Sequence, residues 1–151
     1  MPDEAVDELE ILLVEDNVAD LLLMMKFLKE SSVANRVNVV RNGLSALDYL
    51  KRTNGFEYAK RPDLIFLDLN LPLKDGREVL KEVKSDEELR TIATIIMTTS
   101  SSYLDILDAY KCKADYYMIK PKDIDQMISS MKYMEDVWLR TLLNLKKLSR
   151  F

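Results

Sequence analysis

The sequence has no histidine, a single cysteine and only three glycines. Without histidine, the chain cannot form a His-based catalytic triad, an imidazole metal site or a phosphohistidine of its own. Cys112 alone cannot form an intrachain disulfide or a thiolate metal cluster, and we expect it to fill space in or near the core. The glycines, Gly43, Gly55 and Gly76, are too scattered to build a phosphate-binding loop, which argues against a flavin or nucleotide carrier.

Long apolar runs are also missing, since the longest, Leu21 to Met25, is far too short to cross a bilayer. The start MPDEAVDELE lacks the basic-then-apolar order of a signal peptide. We therefore expect a cytoplasmic protein with an acidic tail over residues 1–8 and no membrane partner. The net charge is −4, and no basic stripe is extensive enough for a nucleic-acid-binding module.

Patterns that predict strands and helices alternate five times along the chain. The short apolar runs that predict strands are Ile11–Val14, Val37–Val40, Leu64–Leu69, Ala93–Thr98 and Tyr116–Ile119. The helix-like segments begin near Asn17, after Asn42, at Gly76, near Tyr103 and near Asp123. This alternation predicts an α/β fold, a doubly wound (βα)5 parallel sheet in the flavodoxin-like order 2-1-3-4-5.

Polar side chains gather where the predicted strands end. Two acids, Glu15 and Asp16, follow the first strand, and Asp68 follows the third. Thr98 closes the fourth strand, and Lys120 follows the fifth. Because parallel strands bring their carboxyl ends to one edge, we expect these side chains to converge. Clustered carboxylates favour binding of a hard cation such as Mg²⁺. An ammonium and a hydroxyl beside them can hold a phosphoryl group, and an aspartate can accept that group as an acyl phosphate.

Four stretches at these strand ends carry a resemblance to a known family. They are LLVEDN (12–17), LIFLDLNLP (64–72), IIMTTS (95–100) and YYMIKP (116–121). Together they resemble the receiver domain of CheY-like response regulators, and the resemblance covers residues 9–138. Within that family the chain is most similar to single-domain regulators partnered with phytochrome-type histidine kinases, through LDLNLPLKDGREVL, the TTS after the fourth strand and the segment Glu135–Trp138.

The resemblance implies a two-component protein that accepts a phosphoryl group from a sensor histidine kinase and has no enzyme activity beyond its own phosphorylation and dephosphorylation. Asp68 resembles the phosphoacceptor, and Asp16 resembles a direct Mg²⁺ ligand, with Glu15 acting mainly through water. The backbone carbonyl of Asn70 is implied as a further ligand. Lys120 is implied to pair with the phosphoryl group, and its bond to the following proline to be cis.

The resemblance also implies a conformational switch. Thr98 resembles the residue whose hydroxyl moves towards the phosphoryl group, and Tyr117 resembles the aromatic residue whose side chain then turns inward. Two neighbours depart from the family pattern, because Thr99 and Tyr116 stand where smaller residues are usual. The expected output is a rearranged face built from the fourth helix, the fifth strand and the fifth helix.

A stripe of apolar side chains continues past the expected end of a receiver domain. Steps of three and four residues join Met127, Met131, Met134, Trp138, Leu142, Leu145 and Leu148. We expect residues 139–151 to extend the fifth helix beyond the sheet, unless they fold back or fray. An apolar stripe that extends beyond the sheet would be exposed to solvent, which favours contact with a partner. We therefore expect a homodimer through the fourth helix, fifth strand and fifth helix, with Trp138 as its anchor.

Two other functions stay open on the sequence alone. A phosphatase of the haloacid-dehalogenase class also uses an aspartate after a strand, but it has a second aspartate two residues on, where this chain has Asn70. Sustained release of phosphate from a generic phosphate ester would identify that enzyme. The other alternative is a degenerate interaction module that never takes a phosphoryl group, and the intact acidic pair, aspartate and lysine argue against it.

Overall fold

The computed structural model describes residues 7–149. Its strands are β1 (Leu9–Val14), β2 (Asn35–Val40), β3 (Leu64–Leu67), β4 (Ala93–Thr98) and β5 (Tyr116–Ile119). They pair in parallel in the order β2-β1-β3-β4-β5, which confirms the predicted fold. The predicted acidic tail lies outside the described residues except for Asp7 and Glu8.

Helices follow each strand and begin after a capping side chain. They are α1 (Val18–Glu30), α2 (Gly43–Lys51), α3 (Gly76–Ser85), α4 (Tyr103–Lys111) and α5 (Ile124–Tyr133). A side-chain oxygen of the preceding Asn, Asp or Ser accepts a first-turn backbone N–H in every case, which explains why the helices begin there. No helix within residues 7–149 combines the length and the apolar character needed to span a bilayer.

The run Leu64–Leu67 lacks alternation because both faces of the sheet are covered. Ile65 and Leu67 pack on the side of α2 and α3, whereas Leu64 and Phe66 pack on the side of α1 and α5. All four side chains are buried. A strand with two buried faces has no solvent side to require polar residues. This sheet fixes the position of whatever follows its carboxyl ends.

The chain continues past α5 as a π-helical segment, Met134–Leu139, and then as α6 (Arg140–Leu148). The first and last residues of the π segment are both buried and lie five positions apart. One extra residue per turn rotates the apolar face of the helix. Leu143 is therefore buried in α6, whereas Leu145, which belongs to the predicted stripe, is exposed.

The C-terminal segment extends the fifth helix, as predicted. It does not overhang the sheet, so that part of the expectation is wrong. Leu139 and Leu143 join the core on the α1 side. The Lys146 ammonium donates to the Glu8 carbonyl and pairs with the Asp63 carboxylate, each at 2.8 Å. The regular 3.6-residue period could not reveal this packing, because it assumes that no π turn interrupts the helix.

Candidate functional site

The carboxyl ends of the central strands meet in register. The backbone N–H of Asp68 donates to the Val14 carbonyl at 3.1 Å, which ties the end of β3 to the end of β1. The backbone N–H of Lys120 donates to the Thr98 carbonyl at 2.7 Å, which ties the end of β5 to the end of β4. These bonds fix the backbones from which the two charged side chains reach each other, as predicted.

The Lys120 ammonium lies among three carboxylates and compensates the buried charge of Asp68. Its Nζ atom is 2.7 Å from Glu15 Oε1, 2.8 Å from Asp20 Oδ2 and 2.9 Å from Asp68 Oδ2. Lys120 is only 8% exposed and Asp68 only 6%. An ammonium has three N–H groups, and each is matched here by one carboxylate. The lysine, two of the acids and their convergence were predicted, whereas Asp20 was not.

Burial dominates the electrostatics of Glu15. The pKa of the Glu15 carboxyl is raised to about 7, chiefly by loss of hydration; the hydrogen bond to Lys120 opposes this shift, and the neighbouring Asp68 adds to it. The folded protein thus holds this proton more tightly than the unfolded chain does. The resulting contribution to stability is complete below the ordinary pKa of 4.5 and is lost as the pH rises through about 7.

Lys120 keeps its positive charge despite its burial. Desolvation alone would lower the pKa of this ammonium, but its hydrogen bonds to Asp20, Glu15 and Asp68 raise the pKa above its ordinary value. A buried charge of this kind is stable only when it is paired and hydrogen-bonded. The ammonium is therefore a permanent cation beside the Asp68 carboxylate.

The other oxygen of Asp68 is held by the loop that follows β3. Asp68 Oδ1 accepts the backbone N–H of Asn70 at 3.1 Å, and the N–H of Gly76 donates to the Leu69 carbonyl at 2.9 Å. A Cβ atom at Gly76 would lie 2.1 Å from the Asp68 carbonyl oxygen. Only glycine lets α3 begin this close to the backbone of Asp68.

Asp16 stands apart from the buried acids. It is exposed, its Oδ1 atom is 3.7 Å from Arg41, and its carbonyl accepts a hydrogen bond from Arg41 at 2.8 Å. Within residues 7–149, no group of three or more acidic or cysteine side chains is arranged to hold a metal ion. The donor chemistry nevertheless fits a hard cation, because the oxygens of Glu15, Asp16 and Asp68 follow adjacent strands. The metal-ligand roles of these residues and of Asn70 stay predictions.

Thr98 and Tyr117 meet at Ser100, a residue that the sequence analysis did not single out. Thr98 is fully buried, and its Oγ1 accepts the backbone N–H of Ser100 at 3.5 Å. The Tyr117 hydroxyl donates to the Ser100 carbonyl at 2.9 Å, and the ring is buried. Tyr117 thus lies inward here. Both predicted switch residues are brought to one loop.

A second network extends from Ser100 to α3. The Ser100 hydroxyl donates to Asp105 Oδ2 at 2.6 Å, and Arg77 donates to both oxygens of Asp105, at 2.9 and 2.7 Å. These bonds, from Arg77 above all, lower the pKa of Asp105 to about 2. Arg77 and Asp105 are 28 positions apart and belong to different helices. No local pattern in the sequence indicates such a pair.

Three smaller expectations have mixed outcomes. Thr99 is exposed, and Tyr116 packs on Tyr133 and Trp138, with ring centroids 5.6 and 5.8 Å apart. The large Tyr116 ring therefore packs against the C-terminal helix. The bond from Lys120 to the following proline is trans, so the expected cis bond is wrong. Trans is the form that X–Pro bonds favour, by about 0.5–1 kcal/mol.

Comparisons with known proteins agree with this architecture. A family model described as Response regulator receiver domain matches residues 11–132. The chain is 37% identical over 142 residues to the response regulator Rcp1 of Synechocystis sp., covering 94% of this chain and 97% of that protein. The Mn²⁺-bound crystal structure of Rcp1 superposes with a TM-score of 0.85 at 38% identity, over 88% of this chain and 96% of the other.

Two further solved structures carry information about ligands. The phosphorylated cyanobacterial phytochrome response regulator RcpA has a TM-score of 0.84 at 42% identity, over 89% of this chain and 96% of the other. The receiver domain of sensor histidine kinase PA1611 from Pseudomonas aeruginosa has a magnesium ion coordinated in its active-site cleft. Its TM-score is 0.66 at 26% identity, over 83% of this chain and 95% of the other.

Proposed function

Because the chain belongs to the response regulator receiver family, we propose that Asp68 accepts a phosphoryl group from a phosphohistidine of a sensor histidine kinase. The observation that carries this proposal is the contact between the buried Asp68 carboxylate and the Lys120 ammonium, at 2.9 Å, at the carboxyl edge of the sheet. The haloacid-dehalogenase alternative has no support, since Asn70 stands where that chemistry needs an acid.

The transfer needs one nucleophile and a fixed positive environment. An Asp68 carboxylate oxygen attacks the phosphorus, the new P–O bond forms as the P–N bond to the donor histidine breaks, and the electron pair leaves with the imidazole. The Lys120 ammonium offsets charge on the phosphoryl oxygens. Mg²⁺, held by Glu15, Asp16, Asp68 and the Asn70 carbonyl, would supply further positive charge. Neighbours with bound Mn²⁺ or Mg²⁺ support a divalent ion.

The proposed donor is a phytochrome-type histidine kinase. RcpA, at 42% identity, is described as a phytochrome response regulator, and this likeness extends over 89% of the chain. A purified kinase of that type, phosphorylated on its histidine, should pass the label to this protein faster than a histidine kinase without a phytochrome sensor. Equal transfer rates from the two kinases would argue against the assignment.

Acetyl phosphate tests the acceptor chemistry without a kinase. With Mg²⁺, it should add one phosphoryl group per chain, and a chelator should prevent the addition because Lys120 alone then offsets the charge on the phosphoryl oxygens. Intact-mass spectrometry measures the product. Labelling to the same extent with and without the chelator would contradict the proposed role of the metal.

Asp16→Asn should weaken Mg²⁺ binding, measured by calorimetry, since the ion loses an anionic ligand.

Phosphorylation should act through Thr98 and Tyr117. The new phosphoryl oxygens are strong hydrogen-bond acceptors, and the Thr98 hydroxyl is the buried donor that ends β4. Thr98→Ala should remove the change in amide hydrogen exchange over residues 99–120 that phosphorylation causes in the wild type. Thr99→Ala is the matched control, because Thr99 is the adjacent residue but is exposed. If both variants respond as the wild type does, this relay is wrong.

A homodimer through α4, β5 and α5 is the proposed output. Each of these elements carries exposed apolar side chains: Tyr103, Leu104, Ile119, Ile124 and Ile128. Trp138, the anchor expected from the sequence, packs on Tyr116 of its own chain and is only partly exposed, and its part in the contact stays a prediction. A two-fold contact would set these side chains against the same side chains of a second copy.

Sedimentation at about 100 μM detects a dimer even when its dissociation constant is as high as about 1 mM. Ile128→Glu should lower the dimer fraction, because it places a charge in the apolar contact. Leu44→Glu is the control, since Leu44 is also an exposed apolar residue of a helix but lies on α2. A wild type that stays monomeric with and without phosphate would refute the dimer.

A further inference from the structure

Asp20 is the one partner of Lys120 that has no assigned place in the phosphoryl chemistry. Its Oδ2 atom is 2.8 Å from the Lys120 Nζ atom, the same length within 0.1 Å as the contacts to Glu15 and Asp68. Its side chain is 33% exposed, so it lies at the mouth of the site. The contact joins residues 100 positions apart, from α1 to the end of β5.

The start of α1 fixes the position of Asp20. Asn17 caps the helix, and its side-chain oxygen accepts the backbone N–H of Asp20 at 3.0 Å. The backbone N–H of Asn17 in turn donates to Glu15 Oε2 at 3.1 Å. The end of β1, the helix cap and Asp20 thus form one hydrogen-bonded unit. Asp20 therefore offers Lys120 a carboxylate on a rigid support.

The three partners of Lys120 differ in what happens to them when the site is loaded. The proposed function gives oxygens of Glu15 and Asp68 to the metal ion and to the phosphoryl group. Asp20 is the partner that these steps leave in place. A lysine side chain has a flexible four-carbon stem, so an ammonium without a fixed partner is poorly positioned.

We propose that Asp20 is a positioning residue, which holds the Lys120 ammonium at the mouth of the site while the other two carboxylates serve the metal ion and the phosphoryl group. This inference rests on the proposed function and adds a residue to it. One N–H of the ammonium stays on Asp20, and the other two are free to donate to phosphoryl oxygens. No bond to Asp20 forms or breaks in the transfer.

An acid in the first turn of a helix also stabilises the helix through its dipole, which is the simpler role for Asp20. Asp125 provides the matched control. It is an exposed acid in the first turn of α5, and it has no hydrogen bond to Lys120 among the contacts of residues 7–149. Asp20→Asn and Asp125→Asn make the same chemical change in the first turns of the two helices. Only the first should affect the lysine.

The first measurement uses the unphosphorylated protein. Hydrogen exchange of the Lys120 ammonium, followed by NMR of the ¹⁵N-labelled side chain, should be about tenfold faster in Asp20→Asn than in the wild type, because the ammonium loses a charged hydrogen-bond partner. Asp125→Asn should exchange as the wild type does, and Asp20→Glu, which retains the charge, should restore much of the protection. Unchanged exchange in Asp20→Asn would overturn the proposal.

The second measurement asks whether Asp20 acts through Lys120. Phosphorylation by acetyl phosphate should protect residues 99–120 from exchange less in Asp20→Asn than in the wild type. In a Lys120→Ala background, Asp20→Asn should have no further effect. An effect of equal size in both backgrounds would assign Asp20 a purely structural role and overturn the proposal. If the wild type itself takes no phosphoryl group, the proposed function fails, whereas the ammonium exchange still decides the role of Asp20.

Discussion

The Asp68→Asn protein is expected to take no phosphoryl group from acetyl phosphate under conditions that label the wild type fully. A carboxylate oxygen attacks phosphorus to form an acyl phosphate, and an amide oxygen has neither the charge nor the basicity for that step. The variant should still fold, because asparagine has nearly the same shape and can keep the hydrogen bond from the Asn70 N–H. Intact-mass spectrometry after a fixed incubation measures the difference.

Asp108→Asn is the control for that result. Asp108 is an exposed aspartate of α4, and its replacement should leave the added mass unchanged. Circular dichroism of both variants establishes that the fold is retained. Labelling of Asp68→Asn to the wild-type extent would mean that another group accepts the phosphoryl group, and peptide mapping would then identify it.

Leu139→Ala should destabilise the protein by about 2–5 kcal/mol, the range for removing a fully buried leucine side chain. Leu139 is 0% exposed and lies in the core on the α1 side, although the sequence pattern places the apolar face elsewhere. Leu145→Ala is the matched control. Leu145 belongs to the stripe seen in the sequence but is 55% exposed, so its loss should cost less than about 0.5 kcal/mol.

Urea unfolding of the two variants decides between two descriptions of the C-terminal segment. A large loss for Leu139→Ala with little for Leu145→Ala places the segment within the folded domain and supports the shift caused by the π turn. Equal and small losses would mean that the segment after residue 138 is a loosely attached extension. A larger loss for Leu145→Ala would restore the uninterrupted stripe.

The fold could be predicted because each local signal agrees with the global topology. The apolar run at Leu64–Leu67 predicts a strand buried on both faces, and Asn17 and Asp123 mark the starts of α1 and α5. The end of α5 could not be predicted in the same way. A π turn depends on how the helix packs against the sheet, and its one-residue shift leaves no mark in a pattern of threes and fours.

The candidate site also contains residues that could be predicted from the sequence and residues that could not. Glu15, Asp68 and Lys120 could be placed together because parallel strands bring their ends to one edge. Asp20 is equally close to the lysine, but an aspartate in a first helical turn also has a local explanation, so its sequence position alone does not indicate the contact. The pair formed by Arg77 and Asp105 lies between two helices, and their relative placement is a tertiary property.

The packing of Trp138 on Tyr116 gives this protein an internal optical reporter. Trp138 is the only tryptophan in the sequence, so light that selects indole excites one known position. Its Nε1–H is buried and has no hydrogen-bond partner within residues 7–149, an apolar setting that shifts indole emission to shorter wavelength. The ring centroids of Tyr116 and Trp138 are 5.8 Å apart, and Tyr116 precedes Tyr117 in the sequence. A movement of Tyr117 that displaces the start of β5 would therefore change the wavelength or intensity of Trp138 fluorescence. This change can be followed in real time without an added label.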